Sequence, residues 1–261
     1  RDRGAAGKLT SPVPHIRAGG SGERTLDFSL TFDEEESTSY EVGMKSEWLD
    51  NRLRINAAYF MTDYDDFILT ISGQPPLFAS YVENVNAGEA EVDGFELDVL
   101  WAMFENATFS MNYTYLDTDL KDVVVPDNSF LLGGPPASSE DLRGVDISDM
   151  TFVPFAPENA FAAAFDYNLP LSGGSSLDFH LNYSWRDELY SQSGMGLPVD
   201  SLGLVGGRIA WSDIQIAGTF WTIAAWGKNL TDEEEVVYNL SNFGFQYNMP
   251  RMYGVDVKLQ F

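Results

Sequence analysis

The sequence predicts an all-β fold, an antiparallel transmembrane β-barrel, and three observations predict it. Apolar and polar residues alternate with period two in about nine segments. Short and long connections alternate between those segments, the plan of a barrel with tight turns at one rim and long loops at the other. The last segment, "PRMYGVDVKLQF", carries its alternation to the final residue, where a soluble domain usually frays into a polar tail. The barrel region is expected over 40–261, with 1–39 an extracellular loop or incomplete N-terminal segment.

Taken in order, "YEVGMKSEW" sets Tyr40, Val42, Met44 and Trp48 against Glu41, Gly43, Lys45 and Glu47. "RLRINAAYFM" sets Leu53, Ile55, Ala57, Tyr59 and Met61 against Arg52, Arg54 and Asn56. "EVDGFELDVLW" and "ATFSMNYTYL" do the same with Phe95, Leu97, Val99 and Trp101, then with Phe109, Met111, Tyr113 and Tyr115. In "AFAAAFDYNL" the apolar set is Phe161, Ala163, Phe165, Tyr167 and Leu169. "SLDFHLNYSWRD" is the cleanest, with Leu177, Phe179, Leu181, Tyr183 and Trp185 opposite Asp178, His180, Asn182, Ser184 and Arg186. "LVGGRIAW" and "FWTIAAWGKNL" follow, and the last strand sets Tyr253, Val255, Val257, Leu259 and Phe261 against Gly254, Asp256, Lys258 and Gln260.

Short links fall near Asp50–Asn51, Glu105–Asn106, Ser172–Gly174 and Ser212–Gly218, and long ones over Leu69–Gly88, Asp117–Glu158, Glu188–Ser201 and Thr231–Pro250. Trp48, Trp101, Trp211 and Trp221 sit beside the short links, while Tyr64, Tyr115, Trp185 and Tyr190 lie near the opposite ends. Such aromatic girdles suit a bilayer interface, where an apolar ring and a polar tip are both satisfied. A soluble β-sandwich also alternates, but its strands are commonly shorter than the roughly 9–11 residues a tilted membrane strand needs.

Composition excludes several classes. The formal charge of −25 repels phosphate, so no nucleic-acid partner is expected. Cysteine is absent, which removes disulfides and thiolate metal sites. No apolar run is long enough for a membrane helix. The chain begins at Arg1 without an initiator Met or a signal-peptide pattern, and that start reads as artificial or fragmentary.

The ending "YGVDVKLQF" resembles the C-terminal assembly signal of outer-membrane β-barrel proteins, carried here by Tyr253, Gly254, Val257, Leu259 and Phe261. "SYEVGMKSEWLDNRLRINAAYFMTDYDDF", "NVNAGEAEVDGFELD", "PFAPENAFAAAFDY", "NYSWRDE" and "WGKNLTDEE" together resemble, in order and spacing, the C-terminal barrel region of TonB-dependent outer-membrane receptors. The resemblance implies uptake of a scarce small molecule, foremost a ferric siderophore, by a protein of the cell outer membrane. It implies as partners the lipid bilayer, the barrel-assembly machinery and the TonB complex, the last through an N-terminal part and plug missing from this chain. At about 25 residues per strand, a 22-stranded barrel would need about 540 residues, so the chain is expected to be under half of one and not to transport alone. A passive porin, a small closed barrel, a soluble carbohydrate-binding sandwich and an outer-membrane hydrolase are the alternatives.

The candidate ligand-binding residues are few. Arg186, Asp187 and Tyr190 lie where a strand leaves the membrane, to grip a ligand or, in the favoured reading, to pair strands at the rim. Tyr238, Phe243, Phe245 and Tyr247 form either an aromatic platform or a loop packed on its neighbours. "FDEEES" lacks the spaced ligands of a calcium loop and reads as a solvated acidic lead into the first strand. His15 and His180 are too far apart in sequence for a two-histidine metal site, and His180 with Asn182 and Ser184 lacks an orienting acid and an oxyanion hole. No enzyme activity, metal or cofactor is expected.

Overall fold

Each alternating segment forms a strand. The computed structural model describes residues 30–73, 81–86, 88–124, 144–192, 197–239 and 244–260, with short pieces at 2–3, 7–9, 15–16 and 26–27. The long strands are β1 (Glu36–Trp48), β2 (Leu53–Asp65), β3 (Glu89–Phe104), β4 (Ala107–Lys121), β5 (Asn159–Pro170), β6 (Ser176–Arg186), β7 (Leu202–Ile216), β8 (Thr219–Lys228) and β9 (Met252–Gln260). They hydrogen-bond in chain order as an antiparallel meander, and Asp2–Arg3 adds a short pairing at the outer edge of β1.

Register brings the apolar halves together. Tyr59 on β2 faces Val42 on β1 and Phe95 on β3, and Phe95 in turn faces Tyr115 on β4. Phe165 on β5 joins Phe109 to Leu181, and Ile223 on β8 joins Trp211 to Val257. One face is therefore apolar from edge to edge, with Val42 69%, Leu181 54% and Val255 69% exposed. An apolar surface of that extent marks contact with lipid or protein. A slip of one residue would move every apolar side chain to the other face, so the alternation itself excludes that error.

The opposite face is polar and bonded across strands. Asp98 accepts from Asn56 Nδ2 at 3.2 Å and Asn112 Nδ2 at 2.7 Å, spanning β2, β3 and β4. Asp178 accepts from Asn168, Ser176 and Ser212, joining β5, β6 and β7. His180 Nδ1 lies 2.8 Å from Asp166 Oδ1 on the neighbouring strand, a carboxylate that the expectation of no orienting acid missed because cross-strand partners are far apart in sequence.

Several sequence expectations need correction. Strands run from 9 to 16 residues, longer at most positions than a membrane crossing requires, because the hairpins continue past the apolar band. The first strand begins at Glu36, before Tyr40. Ser212 and Asp213 belong not to a turn but to a bulge between Trp211 and Ile214, with Asp213 at φ 56°. The turn is only Ala217–Gly218, whose φ values of 51° and 85° suit a two-residue hairpin of the type I′ class. Tyr64 leaves the expected girdle: its ring meets Phe67 edge-on at 5.7 Å within a buried loop cluster.

That cluster is the most enclosed apolar region among the described residues. Leu69, Ala90, Leu120, Val123 and Ile147 form it, with Tyr64, Phe67 and Val153 packed around it. The described parts of three long connections pair as short hairpins. Ile68–Gly73 pairs with Tyr81–Asn86, Leu189–Tyr190 with Pro198–Val199, and Val236–Asn239 with Phe245–Tyr247. "FDEEES" helps hold the first hairpin: Glu35 accepts the Ile68 N–H at 2.9 Å, and Asp33 donates its N–H to Asn86 Oδ1 at 2.6 Å.

Candidate functional site

Strand ends and loops converge at the long-loop rim. Arg186 closes β6, and its guanidinium Nη1 donates to the carbonyls of Asp187 at 2.9 Å and Asp200 at 3.0 Å. It thereby ties together the two limbs of the β6–β7 connection. The Asp187 carboxylate accepts from Asn159 Nδ2 at 2.8 Å, while Asn159 Oδ1 accepts from the Tyr113 hydroxyl at 2.6 Å. This chain fixes Asp187 relative to β4 and β5.

Tyr190 stacks face to face on Phe152, ring centroids 3.4 Å apart and planes within 1°. Its carbonyl also accepts the Phe155 N–H at 2.8 Å. Phe155 in turn lies nearly parallel to Tyr238, at 6.0 Å and 11°. Tyr190 is consequently a loop residue stacked inward, not a member of the apolar girdle. Ser191 Oγ accepts the Asn239 N–H at 2.9 Å, linking the β6–β7 and β8–β9 connections. Asn239 is buried, and its Oδ1 finds no donor among the described residues.

The structure therefore joins Tyr190 and Tyr238 through Phe152 and Phe155, two residues the sequence reading left out of the site. Their signal lies in "TFVPFAPE", where two aromatics are set among prolines directly before β5. Tyr247 and Phe245 stand apart, exposed on their hairpin. Phe243 lies outside the described residues, as does Phe261.

Beside the Phe152–Tyr190 stack is a cleft of about 430 Å³ lined by Thr118, Val153, Glu158, Asp187, Glu188 and Asp200 among others. Carboxylates are prominent in its lining, and no Lys, Arg or His lines it among the described residues. Loop order supports this wall from behind. The Asp146 carboxylate accepts from the Ser148 hydroxyl at 2.6 Å and the Ser148 N–H at 2.9 Å, and these bonds hold its pKa below the usual carboxylate value, the hydroxyl acting most. Ser148 Oγ then accepts the Val123 N–H at 3.0 Å, fastening the long β4–β5 connection to the end of β4.

At the other end of the chain, the expected assembly-signal residues Tyr253, Gly254, Val257 and Leu259 all lie on β9. Tyr253 and Val257 are 81% and 62% exposed on the apolar face. Among the described residues no group of His, Cys, Asp or Glu is arranged to hold a metal ion.

Comparison with known proteins identifies the architecture. The sequence profile described as TonB dependent receptor-like, beta-barrel, matches residues 13–230. The probable TonB-dependent siderophore receptor PiuA of Acinetobacter baumannii is 34% identical over 111 residues, covering 42% of this chain and 14% of that protein. The ferric yersiniabactin uptake receptor FyuA of Yersinia pestis superposes with a TM-score of 0.69 at 19% identity, over 99% of this chain and 33% of its own. The PiuA structure gives 0.61 at 20% identity, over 88% and 29% respectively. The chain spans about a third of the length of these solved receptors, whose likeness shows the fold. With the meander, the apolar face and the family profile in agreement over most of its length, this chain belongs to the TonB-dependent receptor β-barrel family.

Proposed function

We propose that the chain is the C-terminal part of an outer-membrane active-transport receptor that takes up a ferric siderophore. The barrel wall runs from Glu36 to the end of the chain, the residues before it belong to an extracellular loop or an incomplete N-terminal segment, and the plug and the segment contacting TonB come from additional sequence. The observation that supports this reading is the cleft at the long-loop rim, backed by an aromatic stack. A match at 34% identity over 111 residues to a probable siderophore receptor supports the substrate class. Arg186, Tyr238 and Asn159 act by holding the wall, while Asp187 and Tyr190 face the cleft. β9 presents the assembly signal to the barrel-assembly machinery. Catalysis has no part in this reading.

Charge narrows the substrate. Three hydroxamates leave ferric iron neutral, whereas three catecholates leave it strongly anionic, and the carboxylates of Glu158, Asp187, Glu188 and Asp200 repel an anion. The test is uptake of radiolabelled iron by cells carrying the complete receptor, with and without TonB. TonB-dependent uptake of a neutral trihydroxamate complex is expected. Iron uptake unchanged by deletion of either the receptor or TonB would overturn the assignment.

A further inference from the structure

The last strand raises a problem that alternation alone does not solve. A slip of one residue would turn its apolar face inward, but a slip of two keeps every side chain on its proper face. β9 pairs with β8 among the described residues, and the alternation of the two strands is satisfied equally by either register. Something must distinguish the native register from one shifted by a full pleat.

Trp226 and Gly254 supply the distinction. They are direct cross-strand partners on the polar face. The indole lies across Gly254 so closely that a Cβ there would meet Cζ2 at 2.6 Å, Cε2 at 2.8 Å and Nε1 at 3.1 Å. The other polar-face positions on β9 are Met252, Asp256, Lys258 and Gln260, each with a side chain in the way. A slip of two residues puts Met252 or Asp256 opposite the indole, and neither leaves room for a flat ring. The indole N–H also donates to Asp256 Oδ1 at 3.3 Å, which sets its direction along the strand.

The same construction occurs elsewhere in the sheet. Phe60 on β2 lies over its direct partner Gly94 on β3, where a Cβ would fall inside the ring's van der Waals surface. Ring over glycine is a recognised way to pin register and restore packing at a glycine in a strand.

We propose that Trp226 is a positioning residue for assembly: its ring seated in the notch at Gly254 locks the terminal strand in register. The assembly signal is then a feature of two strands, and Gly254 is glycine because an indole must lie on it. This rests on the reading of β9 as an assembly signal only for its consequence in cells, since the lock acts equally without any machinery.

The chain has no cysteine, so paired replacements report register directly. In the complete receptor, Ala225→Cys with Val255→Cys joins native partners, whereas Ala225→Cys with Val257→Cys joins partners of the slipped strand. With Trp226 present the first pair crosslinks and the second does not. Adding Trp226→Ala is expected to raise the slipped crosslink about tenfold, and Trp226→Phe to suppress it again. Assembled yield gives a second reading. Gly254→Ala alone is expected to reduce it about tenfold through overpacking, while Gly254→Ala in the Trp226→Ala background adds little. An unchanged register in Trp226→Ala, or full additivity of the two substitutions, would overturn the lock. Running the cycle during refolding in detergent separates the two readings. Coupling in both settings supports the lock, whereas a Gly254→Ala defect confined to cells and independent of Trp226 would mean that the machinery reads the glycine itself.

Discussion

Leu181 and Ile147 are both branched aliphatic residues, yet Leu181 stands 54% exposed in the middle of β6 while Ile147 is 2% exposed beneath a loop. The sheet has an apolar face completed by what surrounds the protein, so its residues look misplaced to water. The rim cluster around Ile147 is a small core of ordinary soluble kind, completed within the chain by Leu69, Leu120 and Val123. One molecule thus uses the hydrophobic effect in two ways: outward across a broad sheet, inward at the long-loop rim.

Separating those uses experimentally starts with the inner core. Ile147→Ala removes buried methyl groups at a cost of about 2–5 kcal/mol. Hydrogen exchange should show faster exchange over 120–124 and 144–153 with the amides of β5 to β9 unchanged; loss of protection across the sheet would mean that the two regions are one cooperative unit. A charge on the outer face comes next. Leu181→Arg places a cation at mid-strand on the apolar surface, at about 2–4 kcal/mol, whereas Thr108→Arg puts one on the polar face beside Asp166 and should change little. Denaturant unfolding in lipid vesicles measures both, and equal losses would contradict the assignment of faces.

Smaller effects sharpen the picture of the cleft. Tyr190→Ala deletes the stack on Phe152, worth about 0.5–1.5 kcal/mol, and should weaken ligand binding by the complete receptor several-fold without altering strand protection. The smallest change concerns pH. Asp146 is held below its ordinary pKa, so its bonds to Ser148 contribute above the unfolded value of about 3.8 and are lost as pH falls through the lower folded value. The Ser148 amide should then exchange faster relative to the β5 amides as pH falls through that range.

Sheet residues were legible in the sequence because alternation is local: each strand states its own faces, and nine such statements make a register. Ser212 and Asp213 were misread because a bulge and a turn use the same small polar residues, and only pairing to Trp221 shows that the strand continues. The rim was legible only in part. Arg186, Asp187 and Tyr190 are recognisable as strand-end residues, but the Phe152–Tyr190 stack joins connections 38 positions apart and has no period to betray it. Tyr64 shares the phase of Arg54 and Asn56 and Tyr115 that of Phe109 and Met111, so alternation separates the two faces, but it does not reveal the buried cluster that Tyr64 joins.

The orientation of the sheet sets its apolar face to lipid and its polar face to a wet lumen. The cysteine-free chain permits its most direct test: single cysteines from Leu177 to Trp185, spin-labelled in bilayers and probed with lipid-soluble oxygen and a water-soluble nickel chelate. Positions 177, 179, 181, 183 and 185 should respond to oxygen and positions 178, 180, 182 and 184 to the chelate. A uniform response along β6, or one with the opposite phase, would contradict the barrel wall described here.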